Sequence, residues 1–367
     1  MFCRFVLFVM FFCGTVLHPF TVNAQKNTSE AAVEKEKHYL RDHFFDDDDI
    51  LHFKLVGNLS DLFNDRTDNI QYHPLLLQYR EKDSTLISIK LMAKTRGHFR
   101  RLKQNCKMPP LLLNFSKGEK LKNSLFDKQR KLKLVVPCRG DEYVIREWLA
   151  YKVYNIITEK SFGARLVQVD FEDSSSRRKT ETHYCILLED EDKLAERNKT
   201  FVWKRRMLNM KDMEKDEFKK MAVFQYMIGN TDWGVPYLQN IVLISGDTTQ
   251  TVYAIPYDFD HAGIVDAPYA GPPEELEISS VRDRLYRGYC ESDKKNFAET
   301  FDLFNRVKKD IYNVYTACPM LKPKYLKFVM SYLDDFYRTI NSSREIETEF
   351  LKPCKTNIRV EMKGLKK

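Results

Sequence analysis

Apolar and polar residues along this chain change period near its middle. Between Thr85 and Ala93, Ile87, Ile89 and Leu91 fall on one face and Ser88 and Lys90 on the other, the period of two that a half-buried strand requires. Ile50–Val56, Leu75–Tyr79, Leu111–Phe115, Lys131–Val136, Arg165–Phe171 and Thr180–Leu188 read as further strands, with Pro109-Pro110 at the edge of one of them. Asn58-Leu59-Ser60-Asp61 opens a short helix, and Asp141–Thr158 is the first long one, with Val144, Trp148, Tyr151 and Ile156/Ile157 roughly on one face. After Glu189 helical spacing takes over, at Met213–Ile228, Lys295–Ala317 and Pro323–Ile340. A single hairpin interrupts them, Ile241–Ser245 paired with Thr251–Pro256 across Gly246-Asp247. This order predicts an α+β chain in two lobes, β-rich over residues 49–192 and mainly helical over 193–354.

The flanks read differently. Residues 1–24 hold one charge, Arg4, an apolar stretch Phe5–Leu17 and the small-residue run Val22-Asn23-Ala24, which reads as a cleaved secretory signal. Its apolar stretch is too short for a ~30 Å hydrocarbon core, and no later segment approaches that length without charges. The expectation is a secreted or periplasmic chain without stable membrane insertion. Residues 25–48, ending in the acid run Asp46–Asp49, read as a polar tether with a solvated acidic face, and residues 355–367 as a basic tail.

Charge narrows the choice of partner. Sixty Lys and Arg against 52 Asp and Glu give +8, but both signs are interspersed, which suits solubility rather than a nucleic-acid groove. A phosphate-bearing ligand is compatible with that balance. Six cysteines follow the signal, Cys106, Cys138, Cys185, Cys290, Cys318 and Cys354, an even count that an exported chain can pair. Cys106–Cys138 is the expected bridge in the first half, with at least one more among the later cysteines. None of the spacings suggests zinc.

The candidate chemistry lies around the hairpin. Asp232 follows the helix ending near Ile228, Asn240 comes eight residues later, and Tyr257-Asp258-Phe259-Asp260 closes the hairpin. Phosphoryl transfer uses such a set: Asp232 to take the acceptor hydroxyl's proton, and Asn240, Asp258 and Asp260 to hold a metal. Each also has a bland reading, as a turn cap or an Asx turn. In the first half, Lys131 and Lys133 share a strand face, and a Lys133–Glu147 pair would place a cation on nucleotide phosphates. The run Arg96–Arg101 combines arginines that could contact phosphate with a backbone at Gly97 that a ligand can approach closely, although a basic hairpin tip is the better-favoured reading. Ile186–Asp190, including Glu189, lies where a nucleotide-binding hinge would fall. Arg282, Arg284 and Arg287 suit an acidic acceptor or a charged surface helix. Serine-hydrolase, P-loop and zinc-protease motifs are missing.

Together, Arg96-Gly97, Pro109-Pro110-Leu111, Lys131–Val135, Arg146–Tyr151, Gly229–Trp233 with Asn240, and Pro256–Asp260 resemble the spore-coat-H (CotH) kinase family, and more closely its secreted relatives in Bacteroidetes-type bacteria. The resemblance spans Lys94 to Gly288. It implies an atypical protein-kinase-like fold using ATP with Mg²⁺ or Mn²⁺ to phosphorylate a protein Ser/Thr-type hydroxyl. It carries Asp232 across as catalytic Asp and Asp258 as metal Asp. The spacing from Asp232 to Asn240 exceeds the usual kinase loop. Two other readings stay open: a catalytically inactive pseudokinase or partner-binding module of the cell envelope, and an envelope structural protein.

Overall fold

Residues 43–115, 121, 122, 124–204, 206, 208–246, 251–276 and 278–352 are described by the computed structural model; the expected signal, most of the tether and the basic tail lie outside them. Seven strands, β1 (Leu51–Gly57), β2 (His73–Arg80), β3 (Leu86–Thr95), β4 (Leu111–Phe115), β5 (Lys131–Val135), β6 (Ala164–Asp173) and β7 (Glu181–Leu188), close into a barrel in the order β1-β2-β3-β4-β5-β7-β6. Neighbours are antiparallel except β6, which runs parallel to β1 from Leu51↔Val167 to Gly57↔Asp173 and seals the last gap. The first half is β-rich as expected, and its strands form a closed barrel rather than a clear kinase-type sheet. Closure follows from burying both sheet edges. Alternate residues, among them Phe53, Leu55, Leu77, Leu91, Leu113, Leu132 and Val169, then fill the interior.

The barrel is plugged by rings. Phe126, from the segment between β4 and β5, is fully buried and lies 5.3 Å from Phe44 and Phe115, 5.7 Å from Tyr79 and 6.2 Å from Phe53. The expected tether thus ends early: the helical turn His43–Asp46 buries Phe44 and Phe45. Its acid run is partly paired, Asp47 with Arg165 at 2.7 Å and Asp48 with Lys152 at 2.6 Å.

Helix α2 (Asp141–Ile157), preceded by the short α1 (Leu59–Asn64), is buried on several sides rather than along one stripe. It packs into the core of the second half, with Tyr154 4.4 Å from Phe224 and Tyr151 4.6 Å from Phe259, ring to ring. That second half holds α3 (Glu191–Arg197), a three-stranded sheet of β8 (Phe201–Trp203), β9 (Ile241–Ser245) and β10 (Val252–Pro256), α4 (Lys215–Ile228) and further helices toward its end. The hairpin is the expected one, but β8 adds a third strand to it. The single helix expected over Lys295–Ala317 is two, α5 (Ala298–Arg306) and α6 (Lys308–Thr316), joined at Val307 so that Phe304 and Ile311 both reach the core. The last long helix, α7 (Pro323–Ile340), starts with its proline in the first turn, where a missing N–H costs nothing. Cys106 and Cys138 are bridged as expected. A second bridge would draw on Cys290, Cys318 and Cys354, of which Cys318 carries a free thiol and Cys354 lies outside the described residues. Among the described residues no helix is long and apolar enough to cross a membrane.

Candidate active site

The hairpin β9–β10 sets the geometry. Its register ends with Pro256 opposite Ile241, so the residues just outside it, Asn240 and Tyr257, face each other and Tyr257 N donates to Asn240 O at 3.1 Å. Asn240 (φ +49°) and Asp258 (φ +64°) both sit in the left-handed region. Asn and Asp tolerate it better than other side chains, at a cost of about 1–3 kcal/mol each. From this position Asn240 Nδ2 donates to the main-chain oxygen of Asp232 at 2.8 Å and to its carboxylate Oδ2 at 2.9 Å. Gln239 Nε2 donates to the other oxygen, Oδ1. Asp232 is half-buried, and each of its oxygens keeps acceptor capacity beyond these bonds.

The loop carrying Asp232 is held from behind. Helix α4 ends at Gly229, whose φ of +66° and closeness to the Tyr332 hydroxyl leave no room for a side chain. Asn230 Oδ1 accepts from Asp232 N at 3.0 Å. Arg287 Nη1 donates to Trp233 O at 2.7 Å and to Thr231 O, with its guanidinium over the Trp233 ring. Burial pulls Arg287 down to about 10, with Asp232 opposing. This corrects the acidic-acceptor reading of the three arginines. Arg284 is spent on the Met227 and Tyr332 carbonyls and Arg282 on Asp266.

The other face of the site is a buried ion cluster that the sequence does not announce. Arg100 donates from Nη2 to Asp258 Oδ1 at 2.7 Å and to Glu147 Oε2 at 3.4 Å, and its Nε forms an ion pair with Asp260 Oδ2 at 3.1 Å. Glu147 and Asp260 side chains are 1% and 6% exposed, whereas Asp258 keeps 33% open to solvent. Burial, aided by the neighbouring Asp260 and Asp258, pushes Glu147 up to about 8. It raises Asp260 as well, next to Asp258. For Asp258 burial is outweighed by Arg100 and Arg96, which hold its carboxyl below the ordinary value. Tyr151 of α2 accepts from Asp258 N at 2.8 Å, and Tyr269 donates to Asp260 Oδ2 at 3.1 Å.

Arg100 rides on a strap between β3 and β4. The strap is bound at its far end by the Cys106–Cys138 bridge. Arg66 also pins it, donating to the carbonyls of Arg101, Cys106 and Lys107 at 3.2, 2.8 and 2.5 Å. Arg96 and Gly97 begin the strap. Gly97 is exposed with φ +83° and open space where a side chain would stand.

The expected Lys133–Glu147 pair does not form, because Arg100 meets Glu147 instead. Lys133 Nζ lies over the rings of Tyr257 at 4.8 Å and Phe162 at 5.4 Å, with no ion pair to a described residue. Burial, reinforced by the charge of Arg96, lowers it to about 8. Lys131, two residues back, is exposed. Glu189 is not open to a ligand either. Its carboxylate is gripped by Arg197 at 2.9 and 3.0 Å and accepts from Gly163 N at 2.9 Å, so it locks the turn from β7 into α3.

The expected metal set does not present a cation site here. The Asn240 amide is turned to Asp232, and the carboxylates of Asp258, Asp260 and Glu147 converge on a guanidinium. Among the described residues no group of three His, Cys, Asp or Glu side chains is arranged to hold a metal. Gln239 escaped the sequence reading, which placed Arg100 only within a basic run, Tyr151 only on a helix face and Arg287 only at an acidic acceptor. The only available signal was the cluster of basic residues in Arg96–Arg101, which does not say which one turns inward.

Fold and site define an α+β protein with a barrel half, a helical half, and between them Asp232, Asn240 and Asp258 joined through the open end of one hairpin. No family model matches the chain, and no curated protein matches it. Among solved structures it is similar to the proinflammatory kinase CtkA of Helicobacter pylori, with 11% identity and a TM-score of 0.38 over 59% of this chain and 91% of that one. A likeness that slight carries no argument, and the spore-coat-H resemblance rests on the motifs quoted above.

Proposed function

We propose that this chain is an exported, kinase-like phosphotransferase that moves the terminal phosphoryl group of ATP to a Ser/Thr-type hydroxyl of a protein. In this reading the acceptor oxygen attacks the γ-phosphorus, the bond to the β–γ bridging oxygen breaks, and Asp232 takes the hydroxyl proton. Asn240 and Gln239 aim the Asp232 carboxylate. Arg96 and Lys133 supply positive charge for the phosphates, and no step is routed through a metal. The observation that carries the reading is the Asn240 bridge, which accepts from Tyr257, next to Asp258, and donates to Asp232.

A second reading keeps nucleotide binding without turnover, and the guanidinium of Arg100 amid the acids favours it. One measurement tests what they share and a second separates them. ATP at ~100 times its dissociation constant should raise unfolding free energy by ~2.7 kcal/mol under either reading. Transfer of labelled γ-phosphate to itself, to a casein-like protein or to envelope extracts should occur in the native chain and vanish in Asp232→Ala. Binding without any transfer leaves only the second reading standing.

A further inference from the structure

Three cations near Asp258 hold an uneven set of partners. Arg100 spends Nε and Nη2 on carboxylates, and among the described residues nothing accepts from Nη1, although the side chain is only 8% exposed. A guanidinium presents its donors as a rigid fork, so a spent edge leaves the other aimed in a fixed direction. Lys133 has aromatic faces but no described counter-ion. The charge of Arg96 is felt by Lys133, Tyr257 and Asp258 alike. Gly97 leaves the space next to it open. Within the acid cluster, Glu147 Oε1 is buried without a partner.

The strap argues against a side chain that merely rests there until a metal arrives. Its far end is fixed by a disulfide and by Arg66 on three carbonyls, and Asn105 Nδ2 donates to Phe99 O at 2.9 Å. Phe99, next to Arg100, meets His261 at 5.5 Å and Tyr269 at 6.0 Å. The guanidinium is thus delivered by a braced loop to a position between three carboxylates.

Resting on the nucleotide reading above, we propose that Arg100 is a resident cation in the place of a divalent ion, and that Arg100, Arg96 and Lys133 grip a nucleotide's polyphosphate without a metal. A fixed positive charge costs no assembly at the moment of binding. Arginine suits a phosphate on one edge while its other edge holds carboxylates.

The test uses the full chain, with ATP followed by titration calorimetry in EDTA and in excess MgCl₂, and Mn²⁺ alone followed by electron paramagnetic resonance. ATP affinity should agree to within about twofold in the two buffers and fall roughly tenfold or more in Lys133→Met. Mn²⁺ should stay free with the native chain and become bound in Arg100→Met, where Glu147, Asp258 and Asp260 lose their cation. Binding of ATP only with Mg²⁺, or equal Mn²⁺ binding by native chain and variant, overturns the resident-cation proposal and leaves the nucleotide reading intact. If ATP binds in neither buffer, both fall. Should Arg100→Met fail to fold, the double variant Arg96→Gln/Lys133→Met decides: lost ATP binding in EDTA supports the proposal, and retained binding refutes it.

Discussion

Replacing Arg100 by methionine removes a side chain of similar reach and leaves a charge problem behind. In the native chain the guanidinium makes contacts at 2.7, 3.1 and 3.4 Å to Asp258, Asp260 and Glu147. Breaking a buried ion cluster from one side costs about 3–5 kcal/mol, because the remaining charges have lost their compensation. Glu147 contributes least to that loss, since burial already pushes it to about 8 and it enters neutral pH mostly protonated. Most of the effect belongs to Asp258 and Asp260. The sign with pH follows. Asp258 is depressed in the folded chain by Arg100 and Arg96 against burial, so its contribution is present above its unfolded value and lost as pH falls through the folded one. In the variant, burial acts on these carboxyls without Arg100, and they fold at the expense of ionisation. The difference between native chain and Arg100→Met should therefore be largest at mildly alkaline pH and shrink toward acid. Urea unfolding followed by tryptophan fluorescence across that range measures it. A difference under about 1 kcal/mol at neutral pH, or one that does not change with pH, would refute the account of this cluster. Glu147→Gln serves as the control. A raised carboxyl costs stability as pH climbs from its unfolded value toward the folded one, so the amide should match or exceed native stability at alkaline pH.

Other perturbations test the frame around the site. His183 lies between Asp141 and Glu181 at 2.8 and 3.3 Å and is raised chiefly by its bond to Asp141. Its stabilisation is full below the unfolded histidine value and lost as pH rises through the folded one, so the gap to His183→Gln, about 0.5 kcal/mol at this half-exposed site, should close with rising pH in thermal melts. Arg197→Met orphans Glu189 and should cost about 3–5 kcal/mol in denaturant unfolding; a loss below about 1 kcal/mol would show that the turn into α3 is held by other contacts. Cys106→Ser/Cys138→Ser opens a bridge of 32-residue separation and should lower stability by about 4 kcal/mol on chain-entropy grounds, read from urea midpoints under non-reducing conditions.

Much of the local structure was legible because its causes are local. Alternation in Thr85–Ala93 became β3, the run Ile241–Ser245 paired with its neighbour across a short turn, and Asn240 and Tyr257 came together because the hairpin's own register puts its ends side by side. The Cys106–Cys138 bridge was also readable, since both residues flank strands of one sheet.

What only the tertiary structure decided depends on residues far apart in sequence. Barrel closure needs β1 against β6, more than a hundred positions away, and nothing in Leu51–Gly57 names that partner. Lys133 and Arg100 are equally basic in the sequence, yet the strand directs one to aromatic faces and the braced strap carries the other to Glu147, Asp258 and Asp260. Glu189 looked like a ligand contact and is consumed by Arg197. Period and turn chemistry act over a few residues and so leave their mark on the chain itself. Which charge neutralises which is settled by desolvation, and desolvation exists only once the halves have packed.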